Sequence, residues 1–160
     1  MTIEITRGID KNDLNEIEEI LRSSGFFYEY EIITALEIAV ETISKGSEKS
    51  GYRWMKIIDN KKLVAFGNYG KNAFSTHSWE IYWIAVHNNS RHKKLGSRLL
   101  HAIESDIKKT GGKILWIETS GRPLYAPTEN FYKKMGYTLQ GSLKDFYGPD
   151  DPKQIYARYL

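Results

Sequence analysis

The chain has 160 residues, 41% hydrophobic and 13% aromatic, enough apolar surface for one globular core and too much for disorder. Its 23 basic residues face 20 acidic ones, and a net charge of +3 excludes the broad basic surface that nucleic acid requires. The absence of cysteine excludes disulfides, thiolate nucleophiles and thiolate metal sites. MTIEITRG lacks a signal-peptide layout and no apolar run approaches a membrane span, so the expectation is one cytoplasmic domain over 1–160 without membrane attachment.

Ile3 and Ile5 alternate with polar neighbours and predict a short first strand. Asp13 and Glu16, three apart, read as a capping box ahead of Leu14, Ile17 and Leu21, a helix ending near Ser23-Ser24-Gly25. Three aromatics follow, Phe26, Phe27 and Tyr28. A second helix is predicted from Glu29 to Ser44, with Ile32, Leu36, Ala39, Val40 and Ile43 on one stripe, and 45–51 reads as a loop. Tyr52 to Ile58 and Leu63 to Asn68 are strand-like, joined through Asp59-Asn60-Lys61 as a tight hairpin.

After a polar connection, Trp79 to Val86 is aromatic and aliphatic apart from Glu80, as expected of a strand covered on both faces. His87 to Ser90 break it. From Lys94 onward Leu95, Leu99, Ala102, Ile103 and Ile107 recur at helical spacing. A strand that runs straight into a helix aims the helix's unpaired amides, and the positive end of its dipole, at the mouth of the sheet. Arg91, His92, Lys93 and Lys94 crowd that end, and Gly96 lets a ligand approach the backbone. The segment from Arg91 to Ser97 therefore reads as a pyrophosphate cradle.

Gly111-Gly112 stop the helix, and Lys113 to Thr119 form a second buried strand. Ser120 to Pro127 is a loop, Thr128 caps a short helix, ENFYKKM, and Gly136 ends it. Tyr137 to Leu143 and Gln154 to Leu160 make a final antiparallel pair around 145–152. A strand-helix-strand unit joins the fourth and fifth strands in parallel, which predicts a mixed sheet with helices packed on it.

Two motifs carry a resemblance. Arg91-His92-Lys93-Lys94-Leu95-Gly96 resembles the acyl-CoA signature of the GNAT N-acetyltransferase superfamily: a strand, then Arg or Gln, two residues, Gly, one residue, and Gly or Ala. It matches at Arg91 and Gly96. It departs at Lys94, where the family has glycine and a lysine in right-handed helical geometry would still present its amide. Phe131-Tyr132, three residues, then Gly136-Tyr137 is similar to the family's second motif. The resemblance spans essentially the whole chain. It implies an α/β (α+β mixed) fold with a central, mostly antiparallel seven-stranded sheet flanked by about four helices, the fourth and fifth strands parallel and splayed.

The resemblance further implies acetyl-CoA as cosubstrate and transfer of its acetyl group to a primary amine, on a small molecule or a protein amino terminus. Backbone groups of Ile84, Ala85 and Val86 would hold the pantetheine, and Arg91, His92, Lys93, Lys94, Leu95, Gly96 and Ser97 the diphosphate. Tyr125 stands where the family often has a pantetheine-binding asparagine, which leaves Thr128 or Ser120 for that contact. Tyr132 would protonate the departing sulfur. Glu80 or Glu118 would act as the base through a water, with Glu80 preferred because a carboxylate in an apolar strand is costly unless it is used or partnered. Phe26, Phe27 and Tyr28, with Phe146 and Tyr147, would wall the acceptor side. Histidines 77, 87, 92 and 101 have no metal-ligand spacing, so no metal is expected. The strand from Gln154 to Leu160 offers a place for two copies to meet as a homodimer. The rival reading is a non-catalytic acyl-CoA-binding or regulatory module.

Overall fold

The computed structural model describes residues 2–160. Its elements are β1 (Ile3–Arg7), α1 (Leu14–Ser24), α2 (Glu29–Ser50), β2 (Arg53–Asp59), β3 (Lys62–Lys71), β4 (Ser78–Val86), α3 (Leu95–Lys109), β5 (Ile114–Ser120), α4 (Ala126–Lys134), β6 (Thr138–Gly148) and β7 (Asp151–Tyr159). The seven strands lie in the order β1-β2-β3-β4-β5-β7-β6, with β4 and β5 parallel. This is the predicted order of elements and the predicted mixed sheet. Two compact units divide the chain: one holds residues up to Gly70 and Trp83–Asp106, the other Lys71–Tyr82 and Ile107–Leu160.

In the first unit α1 buries Ile17, Ile20 and Leu21, and α2 buries Ile32, Ala35 and Ala39, against Trp54, Leu63, Phe66 and Ala85. Both sets follow the three-and-four spacing of a single helix face. The buried stripe of α2 runs through Ala35 and Thr42 rather than Val40, which is exposed. Small residues let the helix approach closely, and the Thr42 hydroxyl accepts the Trp54 indole N–H at 3.0 Å. Residues 45–51, expected as a loop, are helical on both sides of one break at Gly46 (φ 82°, ψ 163°), and the helix ends at left-handed Gly51. The capping box sits earlier than predicted. Asp10 and Asp13 form it around a 3-10 turn, while the Asp13 carboxylate also takes Lys56 at 2.7 Å. Glu16 instead accepts the Leu63 amide at 3.1 Å. The β2–β3 turn has Asn60 and Lys61 at positive φ, as a two-residue type I′ hairpin requires.

Asp106 anchors this unit. It accepts the Tyr69 hydroxyl at 2.6 Å and the guanidinium groups of Arg53 and Arg7, each at 3.0 Å. Burial alone would raise its carboxyl, but the hydrogen bonds from Tyr69, Arg53 and Arg7 together hold it below the usual carboxylate range. Its stabilisation is therefore present above the unfolded-state value of about 4 and fades as pH falls through the lower folded-state value. Asp106→Asn is expected to cost about 2 kcal/mol in urea unfolding at neutral pH. The difference from the wild type should shrink toward pH 2.

The second unit is built on the parallel ladder Ser78↔Ile114 to Ile81↔Ile117, where pairing stops although β4 continues to Val86 and β5 to Ser120. Gly112 permits the turn from α3 into β5. A Cβ there would lie 2.2 Å from Ile107 Cγ2 and 2.8 Å from Trp79 Cδ1. The helix α4 begins earlier than predicted, with Pro127 in its first turn, so Thr128 lies inside the helix and does not cap it. Gly136 (φ 90°) follows its end. The β6–β7 hairpin also extends through residues expected as a loop. Left-handed Asp145 accepts the Asp150 amide at 2.9 Å, and the register shift between Leu143 and Gly148 is absorbed there as a bulge.

Candidate active site

The cradle lies in the first unit and is built by the passage from β4 into α3. Arg91 is extended, and His92 and Lys94 are left-handed, with φ of 73° and 57°. Lys94 is thus not in the expected right-handed geometry. It takes a conformation natural to glycine, at a cost of about 1 kcal/mol for a residue with a Cβ. Its carbonyl is fixed by the Ser97 hydroxyl at 2.9 Å and the Arg98 amide at 3.2 Å, so the turn keeps its shape without the glycine. Leu95, Gly96 and Ser97 open α3, where an amide has no acceptor inside its own helix. Left-handed residues just before a helix start turn such amides toward a common point, a geometry that suits a diphosphate.

The loop is braced from behind. The Asn88 amide donates to Ser23 Oγ at 3.1 Å, and the Arg91 guanidinium lies 5.4 Å from the centre of the Phe26 ring. Lys93 reaches the buried carboxylate of Asp59 at 3.4 Å. Its charge is engaged by the protein, whereas Arg91 and Lys94 form no ion pair among the described residues.

Strand β4 is not covered on both faces. Trp79, Ile81 and Ala85 are buried, while Glu80, Ile84 and Val86 are half-buried and Tyr82 is exposed. The alternation leaves one face of an apolar strand partly open, with Glu80 on it.

The two candidate bases share a face in the second unit. Glu80 pairs with Trp116 across the parallel ladder, and Glu118 is two residues beyond Trp116 on the same side of β5. Glu118 is held by Lys153 of β7 at 2.7 Å, and that ammonium sits 4.3 Å from the centre of the Phe146 ring. Burial raises the Glu80 carboxyl, the Glu118 charge raises it further, and Lys153 partly offsets both. The two carboxylates therefore differ: one is tied to a cation, the other is free to titrate above the ordinary range. Lys153 was missed in the sequence, where it stands among alternating residues with no local signal of its partner.

Tyr132 is 4% exposed in an aromatic group, with ring centres 5.5 Å from Phe131 and 6.1 Å from both Tyr137 and Tyr156. Burial pushes its phenol well above its ordinary value, so it remains a proton donor at neutral pH. Tyr156 faces the opposite side of β7 from Lys153 and Ile155. The tyrosine and the carboxylates accordingly approach the sheet from opposite faces.

The aromatic trio divides. Phe26 underlies Arg91, Phe27 packs against the core of the first unit, and exposed Tyr28 stacks on Tyr30 at 5.6 Å. Phe146 and Tyr147 are both half-exposed and meet edge to face at 5.1 Å. Thr128 lies in the first turn of α4, and Ser120 donates to buried Asp151. No group of three metal-ligating side chains occurs among the described residues, and no described helix is long and apolar enough to cross a membrane.

The sequence profile of the acetyltransferase (GNAT) family matches residues 14–137. A crystal structure from Desulfovibrio desulfuricans assigned to that family superposes with a TM-score of 0.95 at 31% identity, covering 99% of both chains. An aminoglycoside 6'-N-acetyltransferase complexed with coenzyme A gives 0.75 at 20% identity, over 99% of this chain and 97% of that one. The ribosomal-protein-S18-alanine N-acetyltransferase from Escherichia coli gives 0.77 at 18% identity, over 99% and 94%. Among curated protein sequences none matches the chain.

Proposed function

The chain belongs to the GNAT acetyltransferase family, and from that premise we propose that it is an acetyl-CoA-dependent N-acetyltransferase acting on a primary amine by direct attack. The observation that carries this reading is the glycine-like turn at His92 and Lys94 leading into the start of α3. It supports binding of the coenzyme diphosphate by main-chain amides between Arg91 and Ser97, with Arg91 and Lys94 adding charge. Backbone groups of Ile84 to Val86 are assigned to the pantetheine, and Thr128 to a further contact with it.

The remaining roles follow from charge and protonation. Glu80, raised by burial and by Glu118, takes a proton from the acceptor ammonium, directly or through a water. The freed nitrogen bonds to the thioester carbonyl carbon and releases its second proton to solvent, and the carbon–sulfur bond breaks as the carbonyl re-forms. Tyr132 donates its hydroxyl proton to the departing sulfur and regains one from solvent. The products are the amide and the free thiol. Glu118 and Lys153 form a fixed pair beside this chemistry, and Phe146 and Tyr147 line the acceptor side.

One structural neighbour is named for aminoglycosides and another for the alanine of a ribosomal protein, so the acceptor panel should hold small polyamines, aminoglycosides and peptides with free amino termini. Thiol release from acetyl-CoA is expected with at least one of these classes. Calorimetric binding of coenzyme A with no thiol release across the whole panel would make the chain a binding module. Failure to bind coenzyme A would remove the cradle and every role built on it.

A further inference from the structure

We infer that Glu129 is a positioning residue for Tyr132, holding α4 against β7 so that the phenol is aimed for proton donation. The inference rests on the proposed role of Tyr132. Helix α4 has only nine residues, and no side chain caps it at Tyr125, so little of its placement comes from the helix itself. Glu129 and Tyr132 are three residues apart and share one face of α4. The Tyr156 hydroxyl donates to Glu129 Oε1 at 2.5 Å, and Gln154 Nε2 donates to the same oxygen at 3.2 Å. Residues 154 and 156 lie on one face of β7, so a single carboxylate oxygen gathers two donors from the strand.

The Tyr156 ring that supplies one donor is also the ring Tyr132 rests against, 6.1 Å between centres. One contact thus fixes the height of α4 over β7 and the other the lean of the Tyr132 ring. Tyr156 is fully buried, and burial together with Glu129 keeps its phenol protonated, so the donor is constant across the working pH range. A charge-assisted bond of this kind is short and directional. By contrast, the Tyr132 hydroxyl has no hydrogen-bond partner among the described residues, and only packing and this anchor orient it. Proton donation is sensitive to misplacement of well under a bond length, so loss of the anchor should appear in turnover before it appears in binding.

The test is a double-mutant cycle with acetyl-CoA and whichever amine supports thiol release. Glu129→Ala is expected to lower kcat about tenfold with the KM for acetyl-CoA within about twofold of wild type. Glu129→Gln, whose amide oxygen still accepts from Tyr156 and Gln154, should recover to within about threefold. In a Tyr132→Phe background, Glu129→Ala should cost nothing further. An equal loss in both backgrounds would mean a general structural role and overturn the inference. So would full turnover by folded Glu129→Ala while Tyr132→Phe is slow, and that result leaves the acid role standing. Unchanged turnover in Tyr132→Phe itself overturns both. If Glu129→Ala does not fold, Tyr156→Phe keeps the ring and removes one donor, and the same loss confined to the Tyr132 background is expected.

Discussion

Tyr132→Phe is expected to lower kcat by tenfold to a hundredfold while leaving the affinity for coenzyme A unchanged. The substitution removes one hydroxyl and keeps the ring that packs on Tyr137 and Tyr156, so stability should move little. A departing thiolate with no donor nearby carries its charge into dry surroundings, and a single well-placed donor is commonly worth that factor in rate. Burial raises the phenol, which makes it a weaker acid than in water. In the proposed role the phenol begins as a hydrogen-bond donor to the developing charge and completes transfer as the bond breaks. Pre-steady-state thiol release measures this directly. An unchanged rate in the variant would take Tyr132 out of the mechanism.

Glu80→Gln should lower kcat about a hundredfold and remove the acid limb from the pH profile of kcat/KM. The carboxyl must be ionised to accept a proton, so activity falls as pH drops through its folded-state value. That value lies above the ordinary carboxylate range because of burial and the neighbouring Glu118 charge. Lys153 works in the other direction. Lys153→Met removes a cation that lowers the Glu80 value, and the acid limb of an otherwise active variant should move to higher pH. If Glu80→Gln keeps the wild-type acid limb, the base is Glu118 or solvent.

These two residues were both legible in the sequence, for different reasons. Tyr132 stood in a motif with Gly136 and Tyr137, and local spacing was enough to place it on a short helix ended by a glycine. Glu80 was conspicuous as one carboxylate in an aromatic and aliphatic strand. What separates Glu80 from Glu118 was not legible, because it is set by Lys153 on a strand that reaches Glu118 only through the β5–β7 register. Lys94 shows the converse. Its departure from glycine suggested right-handed helix, whereas the fold holds it left-handed through its carbonyl bonds to Ser97 and Arg98.

The amino-acid order by itself determined the succession of strands and helices, the parallel crossover, and the strand–turn–helix that gathers basic residues at one helix start. Those features depend on periodicity and on glycine, proline and polar breaks, which act over a few residues. The tertiary structure alone decided which face of β4 stays open, which carboxylate is paired with a lysine, and how α4 is held to β7 through Glu129. Each of these depends on groups distant in the chain meeting at hydrogen-bonding range, and their energies arise from desolvation and charge that no local pattern records.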